Sequence, residues 1–421
     1  MTRLQRHGLA IFIAALLLRL AALGIFPTQT ILDSDQVEYD RMAHHLSTGQ
    51  GFALNPGVET SIRAPGYPYF LAFLYKVFGR SYTAVRLVQV VLGAFTAWLL
   101  FWIVCSAFDD KTGITAGWMC ALYAVFIHYE SRIQAETLMI FLVLLSVPGM
   151  LAYLRTRKLA PLAVSAFVIG IATLTRPGTL LLPLAAAPLL AIRKPLDWKG
   201  PVLYLVIFAA VLFPWKYRNH QQFGHWTLCS RGPGFGLMVT GLIIEGVPYD
   251  EGFRRYIKLS QQERYLEPTE PVSGFHPYME LEQRMQREGK ATIKKHPFKY
   301  AWIVIQRLPR FWITSHSAVF GVHKSISEYR QAGAWTPVLI RLGLLGGHAL
   351  LWALALLGLY KRREDLPKFW PLLLVPMYFT IHILFDKVPR YHVPALTAVF
   401  AFAAAGGISL MDLWRNYRQE S

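Results

Sequence analysis

Two aspartates one residue apart, Asp33 and Asp35, stand in the stretch LDSDQVEYDRMAHHL (32–46), directly after the first long apolar run. A carboxylate fixed at such a boundary can take a proton from a hydroxyl, which is the work of a general base. Arg63 lies in TSIRAPGYPYF (60–70), just ahead of Pro65, Gly66 and Pro68, residues that impose a rigid turn. A guanidinium held by such a turn presents a planar fork that suits a phosphate. Further charges sit beside or between apolar runs: Arg176, then Glu130, Arg132 and Glu136, then Asp386, Lys387 and Arg390. A charge at a bilayer centre costs roughly 3 kcal/mol or more, so these residues are expected to pair or to line a polar site. Each also has a purely structural role open to it. Asp35 with Glu38 fits an N-cap and capping box, Arg132 with Glu136 a helical ion pair, Arg63 a solvated elbow and Arg390 a snorkelling cation.

The elements that must position these groups are helices. Tyr39, Met42, Ala43 and Leu46 recur at i, i+3, i+4 and i+7, which predicts an amphipathic helix over 36–48, ended by Gly49, with its apolar face on the membrane surface. Of 421 residues, 54% are hydrophobic and only 16% charged, which excludes an ordinary water-soluble protein and selects the membrane class. Apolar runs at 9–26, 83–108, 113–129, 137–154, 159–174, 178–192, 200–215, 336–360, 367–385 and 392–414 give ten candidate spans. Those at 159–174 and 178–192 are short, and fit either two tilted helices or a re-entrant hairpin. The first run follows Arg3 and Arg6, contains Arg19 and shows no small-residue cleavage site before Pro27, so it reads as an uncleaved signal anchor.

Lys and Arg outnumber Asp and Glu by 43 to 25, but they gather at the ends of apolar runs. That distribution is a topology signal rather than a nucleic-acid footprint, and no nucleic-acid partner is expected. Threading ten spans from a cytoplasmic N-terminus leaves the basic clusters at 155–158, 193–199 and 361–368 inside, with both termini. The expected organisation is a transmembrane module over 1–215 with a first outer loop at 27–82, a large outer region over 216–335, and C-terminal transmembrane helices over 336–421. Within the outer region, 298–313 (FKYAWIVIQRLPRFWI) predicts a helix lying in the membrane interface. Walker, GxGxxG, GxSxG and HExxH motifs are missing, and no CxxC occurs among the three cysteines. Adjacent helical residues diverge by about 100°, so His44 and His45 are not expected to share a metal. Neither a metal nor a cofactor is anticipated.

The order of these features resembles the GT-C membrane glycosyltransferases, specifically glycosyltransferase family 39, which holds bacterial relatives of the protein O-mannosyltransferases and the lipid A aminoarabinose transferase. The pieces are DSDQVEY with MAHHLSTGQGF, RAPGYPYFLAFLYKVFG, AETL, TLTRPGTLLLP, FPWKYRNHQQFG, HPFKY and PRYHVPALT. The resemblance implies an all-α polytopic membrane fold of about ten transmembrane helices with amphipathic outer-face helices. It implies inverting transfer of a sugar from a polyprenyl-phosphate-linked donor to an acceptor hydroxyl of a glycan, lipid or protein. The setting would be the outer face of the bacterial inner membrane, with membrane lipids as neighbours. In the relatives a first-loop aspartate acts as base with a tyrosine four positions on, which maps to Asp35 and Tyr39; Gln36 replaces their glutamate, and Asp33 stays open as the alternative base. Arg63 takes the place of a donor-phosphate cation, with Arg176 and Arg390 as helpers by their outer-side placement. Tyr39, Glu136 and Tyr67 stand as acceptor or support residues. Two rivals compete: a lipid-linked sugar flippase or transporter, because intramembrane charges also mark substrate paths, and a polysaccharide polymerase or ligase, which shares a large outer loop. The paired halves usual in transporters are not visible in the sequence.

Overall fold

The computed structural model describes residues 1–25, 35–192, 197–262, 277–385 and 389–420. Asp33, Asp386 and Lys387 lie outside the described residues. Helix α1 (Arg3–Ile25) leaves Leu9 and Leu17 exposed and turns Ile11, Ala15 and Arg19 inward. The buried arginine is matched in place: its Nη1 donates to the Ala121 carbonyl at 2.7 Å and its Nε lies 2.6 Å from Glu130 Oε2. Pairing of this kind is what allows a charge inside an apolar helix.

Helix α2 (Asp35–Ser47) is followed by a short hairpin, β1 (Ala53–Asn55) and β2 (Val58–Glu59), and by α3 (Gly66–Phe78). Helix α4 (Tyr82–Ala107) is capped by Ser81, and α5 (Asp110–Leu122) by Asp109, each accepting from a backbone N–H three residues on. Then come α6 (Ala124–Glu130), α7 (Glu136–Thr156), α8 (Leu159–Thr175), α9 (Leu182–Ala191) and α10 (Lys199–Phe223). The region that follows holds α11 (Gly234–Ile244), α12 (Tyr249–Gln262), α13 (Pro277–Lys295), α14 (Pro297–Trp312) and α15 (Ile326–Gln331). The chain closes with α16 (Trp335–Lys361), α17 (Leu366–Phe379), a 3-10 segment Pro389–Ala395 and α18 (Leu396–Glu420).

All ten apolar runs fold mainly as helix over their described residues. By length and composition, six segments among the described residues can cross a membrane: Arg3–Gly24, Tyr82–Ala107, Glu136–Thr156, Lys199–Phe223, Trp335–Lys361 and Arg390–Gln419. The other four runs become shorter or broken helices, α5 with α6, α8, α9 and α17. Only 22% of the α16 window is buried, against 78% of the window containing α18, so α16 is peripheral and α18 central. The two cross closely because a Cβ at Gly358 would run into the Phe402 carbonyl, and one at Gly406 into that of Leu354.

Two expectations about amphipathic helices fare differently. Helix α14 presents Phe298, Trp302, Ile305 and Leu308 outward, the apolar face that an interfacial helix needs. The apolar face of α2, expected on the membrane surface, is instead inside the protein: Tyr39, Met42 and Ala43 are buried, and the Tyr39 ring packs edge-on to Tyr67 at 4.9 Å. Helix α3 supplies that cover, so lipid is not required to bury the stripe.

Candidate active site

Residues directly before prolines are pushed out of the helical region, and this chain uses that rule at Arg176. Helix α8 stops at Thr175 because Pro177 forces Arg176 into an extended conformation (φ −151°, ψ 114°). Pro65 and Gly66 start α3 just after Arg63. Gly66 sits so tightly against the end of α8 that a Cβ there would lie 2.6 Å from the Thr175 amide nitrogen and 2.8 Å from the Leu174 carbonyl carbon. The absence of that Cβ brings the turns carrying Arg63 and Arg176 side by side.

Arg63 spreads its fork over two carboxylates of the first turn of α2. Its Nη2 donates to Asp35 Oδ1 and its Nε to Glu38 Oε2, both at 2.5 Å. The second oxygen of Asp35 accepts from Arg390 Nη2 at 3.0 Å, and Arg231 Nη1 lies 3.8 Å from Oδ1. Arg231 also donates to both oxygens of Glu38, at 3.2 and 3.3 Å, and its Nη2 to the Tyr256 hydroxyl of α12 at 3.3 Å. Burial alone would raise the proton affinity of Asp35, but Arg63, Arg390, Arg176 and Arg231 outweigh it and hold the carboxyl well below the usual carboxylate range. Asp35 is therefore a gripped carboxylate whose charged form is favoured.

A second pair adjoins the first. Arg176 donates from Nη1 to Glu136, the residue that opens α7. The Arg132 backbone carbonyl accepts from Gln89 at 2.7 Å. The Tyr391 ring faces Arg176 at 5.3 Å and Arg390 at 5.7 Å, and His382 stacks on its other side at 5.3 Å. Arg63 lies over the Tyr39 ring at 5.4 Å. Among the described residues, four arginines thus meet three carboxylates. Arg390 and Arg231 are the more open of the four, at 30% and 25% side-chain exposure, while Arg63 is at 13%.

The structure brings Asp35, Arg63, Arg176, Arg390, Tyr39 and Glu136 together. Tyr67 does not reach the open side: it is fully buried and donates to Gln89 Oε1 at 2.7 Å, beneath Tyr39. It supports the site rather than facing an acceptor. Glu38 was legible only as a capping residue, and Arg231 drew no attention in the sequence. A signal for Arg231 was present: RAPG (63–66), RPG (176–178) and RGPG (231–234) repeat one device, an arginine ahead of a Pro-Gly step that opens a helix or a 3-10 turn.

Fold and site together define a nearly all-helical polytopic membrane protein, and its similarities agree with the GT-C resemblance carried by the sequence motifs. Residues 62–217 match the family described as dolichyl-phosphate-mannose-protein mannosyltransferase, a stretch that contains Arg63, Glu136 and Arg176. Two crystal structures of the Archaeoglobus fulgidus oligosaccharyltransferase share the fold at 11% sequence identity. One is tethered with an acceptor peptide containing the NVT sequon (TM-score 0.54, covering 98% of this chain and 51% of that one). The other is a complex with Zn and sulfate (TM-score 0.51, covering 97% and 50%). The chain therefore spans about half the length of that protein. ArnT from Cupriavidus metallidurans bound to undecaprenyl phosphate aligns at 14% identity with a TM-score of 0.41, over 94% of this chain and 76% of that one. No curated protein matches the chain in sequence.

Proposed function

We propose that the protein is an inverting glycosyltransferase that moves a sugar from a polyprenyl-phosphate-linked donor to an acceptor hydroxyl at the outer face of the bacterial inner membrane. The observation that carries this reading is Asp35, held between Arg63 and Arg390, at the start of a helix beside the apolar bundle. In the reaction the acceptor oxygen bonds to the anomeric carbon and gives its proton to the Asp35 carboxylate. The bond from that carbon to the phosphate oxygen breaks, and polyprenyl phosphate leaves with the electron pair. Fixed guanidinium groups stabilise the charge that grows on the departing phosphate.

A carboxylate gripped by arginines is ionised but weakly basic. A donor phosphate that recruits Arg63 and Arg390 loosens their hold on Asp35 and raises its proton affinity, so the base is strengthened only when the leaving group is in place. Asp33 remains the alternative base. In this reading residues 1–215 and 336–421 form the transmembrane parts and 216–335 the large outer region. Both termini lie in the cytoplasm, as the positive-inside pattern requires. Purified protein incubated with a labelled polyprenyl-phosphate sugar and an acceptor extract tests the proposal. Release of free polyprenyl phosphate with label on the acceptor is expected. An intact donor recovered on the opposite side of a vesicle would establish a flippase instead.

A further inference from the structure

Three histidines from distant parts of the chain converge at a place that the proposed chemistry does not use. His316 precedes the 3-10 turn Ser317–Phe320, His348 lies in the middle of α16, and His392 lies in the 3-10 segment ahead of α18, two residues after Arg390. The Nε2 atoms of His316 and His392 are 3.3 Å apart. One ring nitrogen from each of the three lies within 4.8 Å of the others. His392 is fully buried and His348 nearly so.

Metal–imidazole bonds of about 2.0–2.1 Å at tetrahedral angles place two ligand nitrogens about 3.3 Å apart, which is the separation of the facing Nε2 atoms. The third ring has the support expected of a ligand. His348 Nδ1 meets the Thr314 carbonyl; in the tautomer that donates this bond, the Nε2 lone pair is directed away from the backbone, towards the Tyr123 hydroxyl at 2.8 Å. His316 is held in the left-handed region (φ 44°), a conformation uncommon for a residue with a side chain and one that recurs where surrounding structure demands it. A simple N–H···N bond accounts for His316 and His392. The third imidazole brings a ring nitrogen within 4.8 Å of both, which such a pair does not require.

We infer that His316, His348 and His392 bind one divalent transition ion of the imidazole-preferring kind, with Tyr123 or a water completing four-coordination. The ion would join the end of the long region after α10 to α16 and to the segment that carries Arg390. It is a staple for that arginine's backbone rather than a part of the chemistry. The three histidines come from separate elements and obey no ligand-spacing rule, so no sequence motif marks the site.

Cobalt is the probe, because four-coordinate Co2+ absorbs visibly and Zn2+ displaces it. Full-length protein in detergent, stripped with a chelator, should bind about one equivalent of Co2+ with a four-coordinate spectrum. His316→Ala, at a partly exposed turn, should weaken binding by more than the roughly 10- to 100-fold that loss of even an outer-shell partner costs. His392→Ala should do the same. A His44→Ala/His45→Ala variant should bind as the natural protein does. Should His392→Ala fail to fold, His316→Ala with the thermal midpoint measured with and without Zn2+ decides the matter: Zn2+ should stabilise the natural protein and not the variant. Binding far below one equivalent, or a Co2+ spectrum unchanged in His316→Ala, would overturn the assignment.

Discussion

Replacing Asp35 by Asn removes one negative charge and the proton acceptor while keeping shape and, at a helix start, capping ability. The cost to the fold follows from the partners. Breaking a fully buried ion pair costs about 3–5 kcal/mol, but Arg390 and Arg231 are 30% and 25% exposed and can turn to water, so a loss of about 1–3 kcal/mol is expected. That is less than the ~5–15 kcal/mol by which folded proteins are stable, so the variant should remain folded. Loss of a general base slows turnover about 100- to 10,000-fold, equivalent to roughly 3–5 kcal/mol of barrier. The assay is single-turnover release of polyprenyl phosphate at saturating donor, beside a melting curve. Glu136→Gln removes the same charge from the same cluster without removing the proposed base. It should alter donor affinity while keeping saturated turnover within about tenfold. Saturated turnover in Asp35→Asn within tenfold of normal, or an equal loss in Glu136→Gln, would refute the base assignment.

The pH dependence carries a second arm of the same test. The folded-state pKa of Asp35 lies below the ordinary 3.8, so its stabilising contribution is present above that value and fades as pH falls through the lowered one. In kcat/KM, which reports the free enzyme, no acid limb from Asp35 is expected above about pH 4. If the donor draws its arginines away, the acid limb of kcat lies at higher pH than that of kcat/KM. Superimposed limbs would show that the donor leaves the Asp35 grip unchanged.

Among the cations, Arg63→Ala and Arg231→Ala should each weaken donor binding by about 10- to 150-fold, the worth of one charge-assisted hydrogen bond, with Arg63→Lys retaining part because charge survives but the fork does not. Unchanged donor affinity in folded Arg63→Ala would reduce that arginine to an elbow. Gly66→Ala drives a Cβ into the backbone at 174–175 and should cost on the order of 1–3 kcal/mol in stability while displacing Arg63 from Arg176; a normal melting midpoint with normal donor affinity would contradict the close approach. For orientation, cysteines at Arg255 and Glu364, both exposed, should react with an impermeant maleimide from opposite sides of the membrane, Arg255→Cys in intact cells and Glu364→Cys only after lysis. The reverse pattern would invert the topology and move the site to the cytoplasmic face.

Much of the helical framework was legible because apolar runs and prolines act locally. The ten runs are mainly helical over their described residues, and Arg176, directly before Pro177, falls in non-helical backbone as the pre-proline restriction demands. Partnership was less legible. Glu136 could equally be matched, by spacing, to Arg132 on its own helix end; only the approach of α8 to α7 gives it to Arg176. The apolar stripe of α2 fits a lipid surface and a protein surface alike, and only α3 decides between them. Arg231 and His316 lie between the apolar runs and His348 and His392 within them, and for all four long-range packing alone assigns the neighbour.

The placement of charge relative to helix ends indicates why the cluster would accept an anion although its carboxylates are already paired. Asp35 and Glu38 lie in the first turn of α2 and Glu136 in that of α7, at the ends where the helix dipole favours negative charge. Arg63 and Arg231 stand just ahead of α3 and α11, near ends where the dipole opposes positive charge. The carboxylates are thus stabilised by their own helices and can spare a partner, whereas the arginines gain from any additional anion. In the proposed reaction a phosphodiester would offer these guanidinium groups a further anion. Exchange of Arg63 and Arg390 from Asp35 to phosphate would then be the step at which binding the donor and strengthening the proposed base become a single event. Separating the acid limbs of kcat and kcat/KM measures that coupling directly.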